Sequence, residues 1–151
     1  MAILTPETSE ERLIAALIKH FSEDDSFRIY REVAFLNKRI DIVLVNHTID
    51  EIWAVEAKIS WWKKVIEQAK FTLLAVDRAY IALPMTKLDG LCHYRHVIQS
   101  LGIGFLGVDP NSRNSSVEEI ISPLSSSYKN PIRENELRTS IEQGIYLKAV
   151  K

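Results

Sequence analysis

The spacing of apolar residues divides the first part of the chain into one helix and three strands. After the helix-capping residues Thr8 and Ser9, apolar side chains recur along one helical stripe and predict a helix from about Ser9 to Phe21. Three segments rich in β-forming residues follow, and the short polar breaks between them favour an antiparallel meander. The predicted strands run from Phe27 to Phe35, from Lys38 to Asn46 and from Glu51 to Ile59.

The rest of the chain alternates between helices and short apolar strands. The helical period returns and predicts a second helix from about Trp61 to Val76, and Gly102 is placed to end a third. In chain order, the remaining predictions are a strand at Ala79 to Leu83, a helix at Leu88 to Leu101, strands at Ile103 to Val108 and Val117 to Ile121 joined by a turn, a loop at Ser122 to Pro131 and a short helix at Glu134 to Gln143. The segment from Gly144 to Lys151 gives no clear signal.

This order of elements predicts an α/β fold with a central mixed sheet. Strands joined through a helix tend to run parallel, whereas strands joined by a hairpin are antiparallel. The second and third strands are apolar at alternate and intervening positions alike, which is typical of a sheet covered by helices on both faces. We predict a single domain over residues 1–151, with a core at about 9–108 and a hairpin and C-terminal extension at 109–151.

Composition favours a globular protein of the cytoplasm. Hydrophobic residues make up 46% of the chain and charged residues 26%, the start lacks the pattern of a signal peptide, and no apolar run is long enough to span a bilayer. We therefore expect no membrane partner. The formal net charge is -1, so any recognition of phosphate groups must be local. The lone Cys92 excludes an internal disulfide.

Three charged residues interrupt the apolar strands. Asp41 lies inside RIDIVLV, and Glu56 and Lys58 lie inside WAVEAKI. Charges in a buried sheet need partners or a metal. Because Glu56 and Lys58 are two residues apart on the predicted strand, their side chains leave the same face of the sheet.

The turn between these strands decides whether Asp41 joins them. A four-residue loop at 47–50 would set Asn46 opposite Glu51, and in that register Asp41 lies opposite Glu56. A loop one residue longer or shorter would turn the aspartate to the other face. We predict the four-residue loop, which brings both carboxylates and the lysine into one site.

This pattern resembles the PD-(D/E)XK nuclease superfamily. The signature of that family is an acidic residue on one strand followed by Glu/Asp-x-Lys on the next, matched here by Asp41 and by Glu56–Lys58. The order of elements over about 9–108 is also similar. The resemblance implies a restriction-endonuclease-like fold with an αβββαβ core, followed here by a further helix, strand and hairpin. Ile40 stands where the family often has proline before the aspartate.

The family also has two auxiliary positions, a Glu on the first helix and a Gln on the helix after the lysine. Glu10 and Gln68 match them. Glu10 lies at the top of the inward stripe of the first helix, so we prefer it to Glu11. Each has an alternative interpretation, because acidic residues are favourable in any first helical turn and Gln68 could be a solvated helix residue.

Carboxylate oxygens suit a hard cation such as Mg²⁺, for which Mn²⁺ is a common substitute. The predicted ligands are Asp41, Glu56, the backbone carbonyl of Ala57 and, for this metal or a second one, Glu10. Lys58 would stabilise the transition state as a cation or activate the attacking water. We favour the first role, since lysine side chains are ordinarily protonated at neutral pH. Gln68 would orient water or substrate.

We therefore predict a Mg²⁺-dependent nuclease that hydrolyses phosphodiester bonds in nucleic acid. The preferred interpretation is a DNA endonuclease of repair, recombination or defence, and a symmetric homodimer would let two copies reach both strands. The alternative is a module on the same scaffold that binds nucleic acid or a protein partner without cleaving. A structural ion pair with an additional carboxylate would also explain Asp41, Glu56 and Lys58.

Other polar and aromatic residues have weaker functional interpretations. Trp61 and Trp62 could stack on a base, although core packing is favoured. The cluster of Cys92, His93 and His96 has no obvious fourth ligand for zinc, which is therefore not favoured. Several basic residues could contact phosphate or form a solvated face: Arg31, Lys38, Arg39, Lys63, Lys64 and Lys70.

Overall fold

A computed structural model of the chain describes residues 9–60, 62–111, 115–143 and 145–147, the last range by its backbone alone. These residues form an α/β domain. Its elements are α1 (Ser9–Ser22), β1 (Phe27–Phe35), β2 (Lys38–Asn46), β3 (Glu51–Ala57), α2 (Trp62–Thr72), β4 (Arg78–Pro84), a 3-10 helix (Met85–Gly90), α3 (Leu91–Leu101), β5 (Gly104–Asp109), β6 (Ser116–Ile121), α4 (Pro131–Glu142) and β7 (Ile145–Leu147). None of the helices in the described ranges is long and apolar enough to cross a membrane.

The strands form one mixed sheet in the order β6-β5-β4-β3-β2-β1-β7. The neighbours β3, β4 and β5 run parallel, and all other neighbours run antiparallel. The predicted mixed sheet and the meander of β1, β2 and β3 are confirmed. Strand β3, which carries Glu56, lies at the centre of the sheet.

Both hairpin turns of the meander follow from their sequences. Between β1 and β2, Leu36 and Asn37 have φ angles of 47° and 66°, as a two-residue hairpin with the twist of its strands requires. In the loop at 47–50, the side chain of Asn46 accepts hydrogen bonds from two backbone N–H groups. The loop has four residues and pairs Asn46 with Glu51, so the predicted register is confirmed.

Helices cover both faces of the sheet, as predicted. On one face, here called the α1 face, Leu13 and Leu17 of α1 pack against β-strand residues such as Ile42 and Val55. On the other, called the α2 face, residues of α2, α3 and α4 pack against residues such as Val43 and Ala54. Strands β2 and β3 therefore contribute buried side chains to both faces, which explains their continuous apolar pattern.

Two predicted element ends are wrong, and at the end of α2 a tertiary contact gives the reason. Strand β3 ends at Ala57, two residues before the predicted Ile59. Helix α2 ends at Thr72 rather than Val76, because the loop before α4 binds the next carbonyl groups: Ser126 Oγ donates to the Leu73 carbonyl at 2.7 Å and the Asn130 N–H donates to the Leu74 carbonyl at 2.9 Å. Those carbonyls would otherwise remain without partners at the helix end.

The later elements differ from prediction in three places. The predicted helix from Leu88 begins as the 3-10 helix and becomes α3 at Leu91, ending at Gly102 with φ 73° as expected. Helix α4 begins at Pro131, not Glu134, because the Asn130 side chain caps it. The unassigned C-terminal segment contains β7, which pairs with β1. The predicted cap Thr8 and helix start Trp61 lie outside the described residues.

Candidate active site

The candidate site lies where β2 departs from β3. The ladder between these strands ends at the pair Ile42–Val55, one residue short of Asp41 and Glu56. Beyond it, the Asp41 N–H donates to Glu56 Oε1 at 3.3 Å, and the Ala57 N–H donates to Asp41 Oδ2 at 2.9 Å. Each carboxylate thus accepts a backbone hydrogen bond from the opposite strand, and the structure brings these two predicted site residues together.

A change of face in β1 and β2 explains why Asp41 leaves the regular ladder. Ile42 packs on the α1 face, yet Ile40, two residues away, packs on the α2 face. The same change occurs in β1 around Glu32, which lies opposite Asp41 in the register and has a φ angle of 51°. Since a non-glycine residue rarely adopts positive φ, the backbone is strained beside the carboxylate pair.

Glu32 is a residue near the site that sequence reasoning missed. Its charge raises the pKa of Asp41, so it lies close enough to act on that carboxylate. An exposed glutamate on a strand gives no signal of this role. Only the pairing of β1 with β2 reveals it.

Burial and mutual repulsion disfavour the charged forms of the two carboxyl groups. Glu56 is only 2% exposed, and burial followed by the charge of Asp41 raises its pKa to about 9. Burial is also the main cause that raises the pKa of Asp41, against the lowering effect of the Ala57 N–H. A further cation at this position would favour the charged forms of both groups.

Lys58 follows directly after β3 and remains attached to the sheet. Its backbone N–H donates to the Ala82 carbonyl at 3.1 Å, and its Nζ lies 3.4 Å from Glu10 Oε1. The lysine charge lowers the pKa of both Asp41 and Glu56. The ammonium group therefore lies close enough to both carboxyl groups for its charge to act on them, and it contacts Glu10 in the N-terminal turn of α1.

Gln68 meets Glu56 on the α2 face. Both residues line a cavity of about 20 Å³, which is room for roughly one water molecule. The Gln68 Oε1 atom is buried and has no hydrogen-bond partner. A buried acceptor of this kind is destabilising unless a donor or a cation occupies the cavity.

The donor set fits a hard divalent cation. Asp41 and Glu56 supply two carboxylates, and Mg²⁺ needs only one or two from the protein because it keeps several waters. Within the described ranges there is no group of three or more His, Cys, Asp or Glu side chains arranged to hold a metal. Glu10 contacts Lys58 instead, and its predicted role as a metal ligand, like that of the Ala57 carbonyl, stays a prediction.

The other candidates lie apart from this pair. Trp62 stacks on Tyr94, with ring centroids 5.4 Å apart, and packs against Phe105, which agrees with the favoured core interpretation. Trp61 lies outside the described residues. Cys92, His93 and His96 are exposed on α3. Of the basic residues, Lys38 and Arg39 line the cavity that contains Glu56 and Gln68.

Comparison with known proteins finds a similarity in fold to a solved structure. Among solved structures, the chain is similar to a protein of unknown function from Silicibacter pomeroyi, with a TM-score of 0.64 and 19% sequence identity over 94% of this chain and 87% of that one. No protein-family model matches the chain, and no curated protein is significantly similar to it in sequence. The likeness supports the mixed α/β architecture and carries no information about activity.

Proposed function

We propose that this chain is a metal-dependent nuclease with a restriction-endonuclease-like fold of the PD-(D/E)XK type, and that it hydrolyses phosphodiester bonds in DNA. The observation that carries the proposal is the pair of cross-strand hydrogen bonds, from the Asp41 N–H to Glu56 and from the Ala57 N–H to Asp41, which bring the two carboxyl groups together within range of the Lys58 charge. A purely structural ion pair would match one carboxylate with one lysine. Here the charge of a single lysine acts on both Asp41 and Glu56, and the salt bridge of that lysine is with a third carboxylate, Glu10.

Asp41 and Glu56 would hold Mg²⁺ or Mn²⁺, with the Ala57 carbonyl as a further oxygen ligand. When bound, such an ion lowers the pKa of a coordinated water and neutralises charge on the phosphate in the transition state. Backbone N–H groups position the two carboxylates, since the Asp41 N–H donates to one oxygen of Glu56 and the Ala57 N–H donates to one oxygen of Asp41. This preorganisation is typical of a site that stabilises developing charge.

Lys58 acts as a cation directed at the phosphate. Its ammonium group is partly exposed, at 21% of the side chain, so it can reach both the carboxylate pair and a substrate. Glu10 holds the lysine in this position. Gln68, whose buried Oε1 has no hydrogen-bond partner, lines the cavity beside Glu56, where its side chain can orient a water molecule.

A cleavage assay with purified protein tests the proposal. Labelled single-stranded, double-stranded and branched DNA, together with RNA, are incubated with Mg²⁺ or Mn²⁺, with and without chelator. We expect cleavage of DNA that chelator abolishes. We also expect Asp41→Asn, Glu56→Gln and Lys58→Ala to reduce the rate by a factor on the order of 10² or more, because each removes a charge that acts on the transition state.

The matched control is Asp50→Asn, which removes a carboxylate whose side chain is 88% exposed in the loop at 47–50. This variant should cleave at the wild-type rate. Cleavage that survives in Asp41→Asn and Lys58→Ala, or an absence of cleavage on every substrate with either metal, would contradict the proposal.

The second candidate is a module that binds nucleic acid or a protein partner without cleaving. The observation that favours it is the lack of a third metal-ligating side chain beside Asp41 and Glu56 in the described part of the chain. Under this alternative, DNA binding without divalent metal would be unchanged by Glu56→Ala, and no condition would give cleavage.

A further inference from the structure

A groove of about 310 Å³ lies on the α2 face, at the C-terminal half of α2. We call it the Tyr128 groove. Its floor is mostly apolar and its rim is charged, and its lining residues are Lys38, Glu67, Lys70, Phe71, Leu74 and Tyr128. None of these residues belongs to the carboxylate pair, so the groove calls for an explanation of its own.

Tyr128 stands half exposed, at 50%, on a loop that is fastened to the end of α2. Ser126 Oγ bonds the Leu73 carbonyl, the Asn130 N–H bonds the Leu74 carbonyl, and Lys129 forms an ion pair with Asp77. These contacts lie on both sides of Tyr128 in the chain. They hold a large aromatic ring at the surface of the groove, where Phe71 provides a second ring.

The rim of the groove suits an anion. The Nζ of Lys38 lies over the Phe71 ring, 5.4 Å from its centroid, and Lys70 precedes Phe71 on α2. No ion pair joins Lys38 or Lys70 to an acidic residue of the described chain, whereas Lys58 has one and Lys129 has two. Apart from the contact of Lys38 with the Phe71 ring, the charge of both lysines is available to a ligand, although Glu67 offsets part of it.

The groove adjoins the candidate active site. Lys38 and Phe71 line both the Tyr128 groove and the small cavity that contains Glu56 and Gln68. A ligand lying over Phe71 would thus extend directly toward the carboxylate pair. Arg39 lines the same cavity and adds positive charge along this path.

We propose that the Tyr128 groove binds one unpaired nucleotide next to the phosphate that is cleaved, with its base against Phe71 and Tyr128 and its phosphates near Lys38 and Lys70. The inference rests on the proposed nuclease function and gives its substrate class as single-stranded or overhanging nucleic acid. Both faces of a base in a duplex are covered by its neighbours, so only an unpaired base can use these rings.

Binding without cleavage tests the groove separately from catalysis. Fluorescence anisotropy is measured in EDTA with labelled oligothymidylate and oligouridylate of about 12 nucleotides, and with a DNA duplex of the same length. We expect single strands to bind more tightly than the duplex, and the DNA and RNA arms identify which sugar is accepted. Tyr128→Ala should weaken single-strand binding roughly tenfold, and Tyr128→Phe, which keeps the ring, should preserve it.

Two control variants distinguish the contributions of the aromatic rings and of the lysine charges from non-specific effects of a substitution on binding. Ile132→Ala truncates another exposed side chain nearby, with 70% of it accessible, and should leave binding unchanged. Lys38→Ala with Lys70→Ala should weaken binding and lower its salt dependence, whereas Lys19→Ala, on the α1 face, should not. Circular dichroism checks that each variant is folded.

The inference is overturned if folded Tyr128→Ala binds single strands as wild type does, or if the duplex binds at least as tightly as the single strand. Metal-dependent cleavage of duplex DNA in that case would leave the proposed function standing. Single-strand binding that depends on Tyr128, together with no cleavage of any substrate, would support the groove and contradict the nuclease.

Discussion

At the scale of single residues, the burial of the Glu56 carboxyl group most requires an explanation. It is the one carboxyl-bearing residue that is buried among those the structure describes, with 2% of its surface exposed. Its pKa is raised to about 9, first by burial and then by the charge of Asp41. A protein keeps such a group at a cost in stability, and the proposed cation site would explain that cost.

The glutamine variant of this residue should be more stable than the metal-free wild type at neutral pH. In the unfolded chain Glu56 ionises near its ordinary pKa of 4.5, but in the folded chain near 9, so the wild type loses stability as pH rises between these values. At pH 7 we expect Glu56→Gln to have a free energy of unfolding higher than that of the wild type by on the order of 1 to 3 kcal/mol. This difference should vanish near pH 4.

Urea denaturation in EDTA at pH 4 to 9 measures this difference. Glu118→Gln, an exposed position on β6, is the control and should follow the wild type at every pH. A Glu56→Gln variant that is less stable than wild type at pH 7 would mean that the contacts of the carboxylate stabilise the fold by more than its burial destabilises it.

At the scale of elements, helix α4 depends on its first turn. The Asn130 side chain accepts hydrogen bonds from the N–H groups of Ile132 and Arg133 at 2.8 and 3.2 Å, and Pro131 occupies the first helical position. The rest of the helix is weakly amphipathic, with Leu137 and Ile141 as its buried residues. The cap therefore matters more here than in a helix with a broad apolar face.

Removing this cap should destabilise the protein. We expect Asn130→Ala to lower the free energy of unfolding by about 1 kcal/mol, because two N–H groups lose their acceptor. Thermal or urea unfolding provides the measurement. Asn135→Ala, at an exposed position within the same helix, should be neutral or slightly stabilising, since alanine is the better helix former. Equal stability of the two variants would contradict the capping role.

At the scale of the whole molecule, the proposed metal site would link ion binding to global stability. An ion that binds the folded chain and not the unfolded one stabilises it by mass action. We expect saturating Mn²⁺ to raise the melting temperature of the wild type by about 5 °C or more, since a domain of this size shifts by a few degrees per kcal/mol. Asp41→Asn should abolish this shift.

Differential scanning calorimetry with and without Mn²⁺ measures the shift. Asp50→Asn keeps the pair intact and should retain the full effect. A rise in melting temperature of the same size in Asp41→Asn would assign the ion to some other site, and no rise in the wild type would exclude a metal site of useful affinity at the pair.

The helices and strands themselves could be predicted from sequence because their signals are local. The stripe of Leu13, Leu17 and Phe21 determines α1, and the positive φ positions Leu36 and Asn37 fall in the break between two β-rich segments. The four-residue loop at 47–50 then fixes the register of β2 and β3. From that register alone, Asp41 and Glu56 could be predicted to meet.

Tertiary contacts decided what the local pattern left open. Helix α2 stops where a loop more than fifty residues later binds its carbonyl groups, as in the bond from Ser126 to Leu73, and no local signal marks that point. Strand β7 joins β1 although its own segment has no pattern. The strain at Glu32, its approach to Asp41 and the position of Tyr128 over α2 follow from strand pairing and loop packing, which act between residues far apart in the chain. The amino-acid sequence by itself thus determined most of the elements and the pairing of Asp41 with Glu56, because these depend on the spacing of residues along the chain. The tertiary structure decided the burial and the charged neighbours of that pair, because these depend on residues that are close in space and distant in sequence.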